Sequence, residues 1–146
     1  MAEAQNKNQG KQKPVILQVS DIGRLQPQAR EFEEAVLGAL MLEKDAYSIV
    51  SEILKPESFY EKIHQLIYQA IVDLAISLRP IDMLTVTEQL RKSGELESIG
   101  GPFYITQLTG KVASTAHLEH HASVIAQKFS QRTYSIYRYD SGKSFR

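Results

Sequence analysis

The feature that most constrains the fold is an apolar seam in the last third of the chain. Its positions alternate in spacings of four and three, and one of them is charged: Leu118, Ala122, Ile125, Phe129, Arg132 and Ile136. This spacing lines side chains along one edge of a helix and is typical of helices that pair with another helix. A helix of about 20 residues is too long to bury this edge inside a small domain.

We therefore predict a long projecting helix over residues 114–136, capped by Ser114 or Thr115, whose seam has no partner helix within its own polypeptide. The predicted protein-interaction residues lie on that seam and are Leu118, Ala122, Ile125 and Phe129. The last residues, 137–146, are expected to form an irregular tail.

Helical periodicity also fills the preceding segment, so residues 27–113 are predicted to form a compact head of about five to six helices. The first helix, from Ala29, carries an apolar stripe at Phe32, Val36 and Leu40. Gly38 lies inside this stripe. Because glycine costs about 1 kcal/mol relative to alanine within a helix, we predict that another helix approaches closely there.

Start and stop signals place the remaining helices of the head. Asp45 can cap a second helix that ends before Pro56, and a third runs from about Glu61 to Leu78. Thr85 and Glu88 form a capping-box pattern, and Pro102 can begin a short helix over residues 103–108. No segment shows the alternation of a strand, so the predicted class is all-α.

Length and composition fit one globular domain. The chain has 146 residues, of which 42% are hydrophobic, and residues 1–26 form a polar segment that is expected to be disordered. Its apolar run PVILQVS, residues 14–20, is read as part of that tail, with a strand or a docking peptide as alternatives. The absence of cysteine excludes a disulfide scaffold and fits the cytoplasm. No apolar run approaches the roughly 20 residues that span a membrane.

Charge is distributed unevenly along the chain. Residues 1–30 carry five basic and two acidic side chains, residues 31–127 seven and fourteen, and residues 128–146 five and one, which gives +3, −7 and +4. A domain that binds DNA phosphates needs clustered Lys and Arg, so direct nucleic-acid binding is not expected. The one conceivable contact is the aromatic and basic stretch YSIYRYD, residues 134–140. The acidic middle is read as a solvated surface, with a basic partner as the alternative.

No residue pattern indicates catalysis. A phosphate-binding loop needs a glycine five residues before Gly142 in the tripeptide Gly142-Lys143-Ser144, but that position holds Tyr137. His117, His120 and His121 lack the order of a zinc hydrolase motif and are read as surface or seam residues, with a metal-dependent hydrolase as an alternative. His64 is read as a packing or capping residue. The chain is therefore not predicted to be an enzyme, and no catalytic, cofactor-binding or metal-binding residue is assigned.

Five segments together resemble the N-terminal domain of bacterial DnaB-type replicative DNA helicases, from about Pro27 to Arg132. They are EEAVLGALMLE (33–43), FYEKIHQLIYQAI (59–71), RPIDMLTVTEQL (79–90), GELESIGG (94–101) and LEHHASVIAQK (118–128). The resemblance implies a helical head followed by a helical hairpin whose first arm is the long helix. It also implies a collar, a trimer of dimers on a six-membered ring, that docks primase during DNA replication.

In that family, ATP and Mg²⁺ serve a C-terminal motor domain that this chain lacks, so no cofactor is expected here. The expected partners are other copies of the chain, primase and the helicase motor domain. After Arg132 the sequence departs from the family pattern, which we read as a truncation or a change of reading frame that leaves the hairpin incomplete. The alternative function is a free-standing helical regulator that binds a replicative helicase.

Overall fold

The computed structural model describes residues 26–112 and 114–143, with side chains for 29–112 and 114–138, and the regular elements in these ranges are all helical. The α-helices are α1 (Gln26–Leu42), α2 (Ala46–Val50), α3 (Lys62–Ile76), α4 (Met83–Lys92), α5 (Gly101–Gly110) and α6 (Leu118–Lys143). The prediction of an all-α fold is confirmed. The expectation of disorder before Gln26 lies outside the described residues. None of the described helices is both long and apolar enough to cross a membrane.

Helix α1 is the centre of the head. Its stripe at Val36, Leu37 and Leu40 is almost completely buried, and it packs against α3, α5 and α6. Gly38 faces α5, where a Cβ atom would lie 2.3 Å from the carbonyl oxygen of Leu108 and 2.4 Å from a methyl group of Val112. Helices α1 and α5 therefore approach as closely as the glycine suggested.

The N-terminus of α4 differs from the sequence-based expectation. Asp82, and not Thr85, is the N-cap residue, so the helix begins at Met83. The Asp82 carboxylate accepts the Thr85 N–H at 2.9 Å, while the Thr85 hydroxyl accepts the Asp82 N–H at 2.9 Å. Two N–H groups at the helix end are thus satisfied by one reciprocal pair, which accounts for the earlier start.

The boundaries of α6 also differ from the prediction of a helix over residues 114–136. The helix begins at Leu118 because the Ser114 hydroxyl accepts the N–H of Ala116 in a local turn and does not cap a helix. At the other end the helix continues to Lys143, through positions that were expected to be irregular. The chain has no proline after Pro102 and no glycine between Gly110 and Gly142, so nothing in the sequence interrupts the helix before its last turn.

Candidate protein-interaction surface

The first half of α6 is docked on the head. Leu118 is 7% exposed, Ala122 0% and Ile125 3%, and all three belong to the hydrophobic core formed with α1 and α2. The prediction that the seam lacks a partner helix in its own polypeptide is therefore wrong for these residues. The head covers them itself, so of the four predicted interaction residues only Phe129 keeps part of its surface open.

A histidine cluster lies where α6 meets α1. The His121 ring lies 5.3 Å from the Phe32 ring, with His117 and His120 at 6.3 and 6.1 Å from His121. Burial lowers the pKa of His121, and the neighbouring His120 and His117 lower it further. Within the described residues no three His, Cys, Asp or Glu side chains are arranged to hold a metal ion.

The depressed pKa of His121 predicts acid sensitivity of the α1–α6 contact. As the pH falls below about 6.5, the unfolded chain binds a proton at this histidine before the folded chain does. Folding stability is therefore expected to fall between that pH and the lower folded pKa. Thermal unfolding between about pH 7.5 and pH 5.5 measures this loss. This loss of stability should be smaller in His121→Asn. In the control Gln127→Asn, at an exposed position of α6, it should equal the loss in the parent. Identical pH profiles of stability for all three proteins would contradict the assignment.

Arg132 joins α6 to the head. Its guanidinium donates a hydrogen bond to the backbone carbonyl of Ser58 at 3.2 Å. The same group lies 5.1 Å from the centre of the Tyr60 ring and 5.9 Å from that of Phe129. The charged residue that interrupts the apolar seam therefore holds the helix against the turn between α2 and α3.

Beyond this contact, residues 133–143 form a segment that we call the arm. Three large side chains on it are mostly exposed: Tyr134 (68%), Ile136 (63%) and Tyr137 (71%). Tyr134 and Tyr137, three positions apart, share one face of the helix, whereas Ile136 lies about 160° around it from Tyr134. The two tyrosines form an exposed patch of the kind found at interaction sites. Sequence reasoning placed Ile136 on the seam and missed both tyrosines, although their spacing of three was a helical signal.

The head carries a second exposed apolar surface, an open groove between the end of α1, α2 and the loop after α3. Leu42 and Leu78 lie on it at 52% and 93% exposure, beside Tyr47 and Ile81. Leu78 has a φ of 55°, a left-handed conformation that glycine usually supplies at the end of a helix. No sequence pattern indicated this groove, since Leu78 was counted as the last apolar position of the third helix.

A buried polar network lies beneath the turn that receives Arg132. The fully buried His64 ring contacts Glu33 through Nδ1 at 2.7 Å and the Tyr104 hydroxyl through Nε2 at 2.6 Å. Glu33 also accepts the backbone N–H groups of Tyr60 at 2.6 Å and Glu61 at 3.2 Å. His64 is thus a packing residue, as predicted. Burial raises the pKa of the Tyr104 hydroxyl to about 12, so it stays protonated at neutral pH.

Glu34, the neighbour of Glu33, joins α1 to the end of α5. Burial opposes its ionisation, but ion pairs with Lys111 and Arg30 outweigh this and lower its pKa. The pair of adjacent carboxylates on α1 therefore fixes two different parts of the head: Glu33 holds the start of α3, and Glu34 holds the end of α5.

Comparison with known proteins identifies relatives of this helical head. The sequence profile of the "DnaB-like helicase N terminal domain" family matches residues 25–127. The chain is 46% identical over 123 residues to the replicative DNA helicase DnaB of Rhodothermus marinus and 40% identical over 105 residues to the replicative DNA helicase DnaC of Bacillus subtilis. These alignments cover 84% and 72% of the chain, but only 13% and 23% of the relatives' own length.

Solved structures show the same fold. The N-terminal domain of the Mycobacterium tuberculosis DnaB helicase superimposes with a TM-score of 0.68 at 39% identity, over 70% of this chain and 75% of that one. A DnaB-like replicative helicase, described with its interactions with primase, superimposes with a TM-score of 0.65 at 30% identity. The second match covers 75% of this chain and 26% of the helicase.

Proposed function

The chain belongs to the family of DnaB-like helicase N-terminal domains, and on that premise we propose that it is a cytoplasmic scaffold that assembles with other copies of the chain and recruits primase. The family match assigns it to the N-terminal domain of a replicative helicase and not to a motor domain, so the chain itself is not an enzyme. ATP and Mg²⁺ would serve the motor domain of its longer relatives. The observation that carries the proposal is the exposed apolar patch of the arm.

We infer that the arm associates with another copy of the chain, as a dimer or a larger collar. Burial of a large apolar side chain contributes roughly 1.5–3 kcal/mol, and Tyr134 and Tyr137 offer two such side chains on one face of the helix. Charge contributes little to this contact: the arm, residues 133–143, carries two basic and one acidic side chain, which is +1, against −7 on residues 31–127.

Primase is the second proposed partner, because a helicase of the same fold is described with its interactions with primase. The exposed groove around Leu42 and Leu78 is a suitable docking surface for it, since the arm of the same chain does not cover it. An apolar residue held in a left-handed conformation and almost fully exposed contributes nothing to the core. Its presence fits a role in contacts with another protein.

Substitutions on the arm test the self-association. Tyr134→Asp and Tyr137→Asp each place a charge on that face, and each is expected to weaken association at least about tenfold, the equivalent of 1.4 kcal/mol. Sedimentation equilibrium measures this change. The matched control is Ser135→Asp, which adds the same charge about 200° around the helix from Tyr137 and should associate as the parent does. Equal average masses for all four proteins would rule out the arm as the interface.

A further inference from the structure

We propose that Leu78 anchors a partner protein in the exposed groove of the head, and that its unfavourable backbone conformation lowers the stability of the head. The anchoring role rests on the proposed docking of primase in this groove, whereas the effect on stability concerns the chain alone. Among the large apolar side chains that the structure describes, Leu78 is the most exposed, at 93%. It lines an open groove of about 650 Å³ together with Leu42, Tyr47 and Ile81.

The backbone at the end of α3 directs Leu78 away from the core. The Leu78 N–H donates to the carbonyl of Ala75 at 3.0 Å, and the Arg79 N–H donates to the carbonyl of Leu74 at 2.9 Å. This pair of bonds closes a helix end when the residue before the last donor adopts a left-handed conformation. Leu78 has that conformation, with a φ of 55°. Hydrogen bonds of the backbone, and not packing of the side chain, therefore set its direction.

The same closure occurs twice more in the head, each time with glycine in the left-handed position. These residues are Gly94 and Gly100, with φ angles of 75° and 105°. In both, the N–H of the next residue donates to the carbonyl five positions before it at 2.9 Å. Glycine adopts this conformation without the steric cost that a Cβ atom incurs. The chain thus carries a leucine at the one of these three positions that lines the groove.

A partner that covers Leu78 would gain from both its exposure and its fixed direction. Covering the side chain removes apolar surface from water, which is favourable in proportion to the area buried. Because the backbone already directs the side chain outward, less conformational freedom is lost on binding. Strained residues that add nothing to the core are typical of binding sites. Leu78 is therefore suited to carry the contact with a partner.

The variant Leu78→Gly separates binding from stability, because the two are expected to change in opposite directions. Without a partner, Tm should rise by about 2–6 °C, since relief of the left-handed strain outweighs the greater entropy of glycine in the unfolded chain. Isothermal titration calorimetry with primase from the same source should show an affinity at least about tenfold weaker. A Tm no higher than that of the parent, or a parent-like affinity, would overturn the inference.

Three matched variants test whether these effects are specific. Leu78→Ala keeps a Cβ atom in the left-handed turn, so it should weaken binding as Leu78→Gly does but leave Tm unchanged. Ile76→Ala truncates another apolar side chain, which is 74% exposed but does not line the groove, and should bind as the parent does. Gly94→Leu places a leucine in the same conformation away from the groove, and should lower Tm without changing the affinity. Equal losses of affinity in Leu78→Ala and Ile76→Ala would reject a specific role of Leu78.

The parent and Leu42→Ala distinguish failure of the anchoring role from failure of the proposed docking. A parent that does not bind primase rejects the docking, and the anchoring role with it. Weaker binding in Leu42→Ala, together with parent-like binding in Leu78→Gly, rejects the anchoring role and leaves the docking in the groove standing.

Discussion

Glu33→Ala is expected to lower the free energy of unfolding by about 3–5 kcal/mol, because three hydrogen bonds to one buried side chain are lost at roughly 1–3 kcal/mol each. The carboxylate is 2% exposed and is bonded to His64 and to the N–H groups of Tyr60 and Glu61. Alanine leaves the His64 Nδ1 without its acceptor inside the core. It also leaves two N–H groups at the start of α3 without a partner, and each buried, unsatisfied donor carries its own cost.

Urea denaturation of the parent and the variant measures this loss. The matched control is Glu31→Ala, the same substitution on the same helix at an exposed position, which should change the free energy of unfolding by no more than about 0.5 kcal/mol. A Glu33→Ala variant as stable as Glu31→Ala would show that the network around His64 does not stabilise the head.

Gly38→Ala is expected to destabilise the chain by about 1–3 kcal/mol, even though alanine is the better helix former. The added Cβ would lie 2.3 Å from the backbone carbonyl oxygen of Leu108, which belongs to a helix and cannot move alone. Helices α1 and α5 must therefore separate, which loosens the core around Leu37 and Leu108. A loss of this size corresponds to a drop of roughly 5–15 °C in Tm.

Gly110→Ala is the matched control for this effect. A Cβ at Gly110, in the last turn of α5, meets no atom within 4 Å. The substitution should therefore be neutral or stabilise the helix by up to about 1 kcal/mol. Equal Tm values for the two variants would show that the α1–α5 contact yields easily and that Gly38 is not required for it.

The sequence predicted the helices well because each carries a periodic apolar stripe and a recognisable stop signal. Pro56, Arg79-Pro80 and Gly94 end their helices near the expected positions. The starts were less accurate, because side chains that cap a helix compete locally. At α4 either Asp82 or Thr85 could have been the cap, and only the three-dimensional pairing of the two decides between them.

Periodicity could not show which neighbour covers the seam of α6. The pattern of Leu118, Ala122 and Ile125 is the same whether the partner is another subunit or the chain's own head, since both bury one edge of a helix. The interpretation favoured another subunit because the helix is long, but its first two turns lie on α1 and α2. Only Arg132, the charged residue in the seam, marked where the docked part ends.

The buried network could not be predicted from spacing at all. Glu33, His64 and Tyr104 lie on three different helices and are up to 71 positions apart in the sequence. Their contact depends on how α1, α3 and α5 pack, which no local pattern encodes. The exposed groove at Leu78 was missed for a related reason, because an apolar residue at the end of a helix looks like part of the core until the backbone turns it outward.

The mass of the unmodified chain in solution tests the central claim most directly. Sedimentation equilibrium over a range of concentrations distinguishes a single chain of 16.5 kDa from a dimer or a larger collar. A scaffold that associates through the exposed arm should show an average mass that rises above 16.5 kDa with concentration. A mass of one chain at every concentration up to the limit of solubility would contradict the claim.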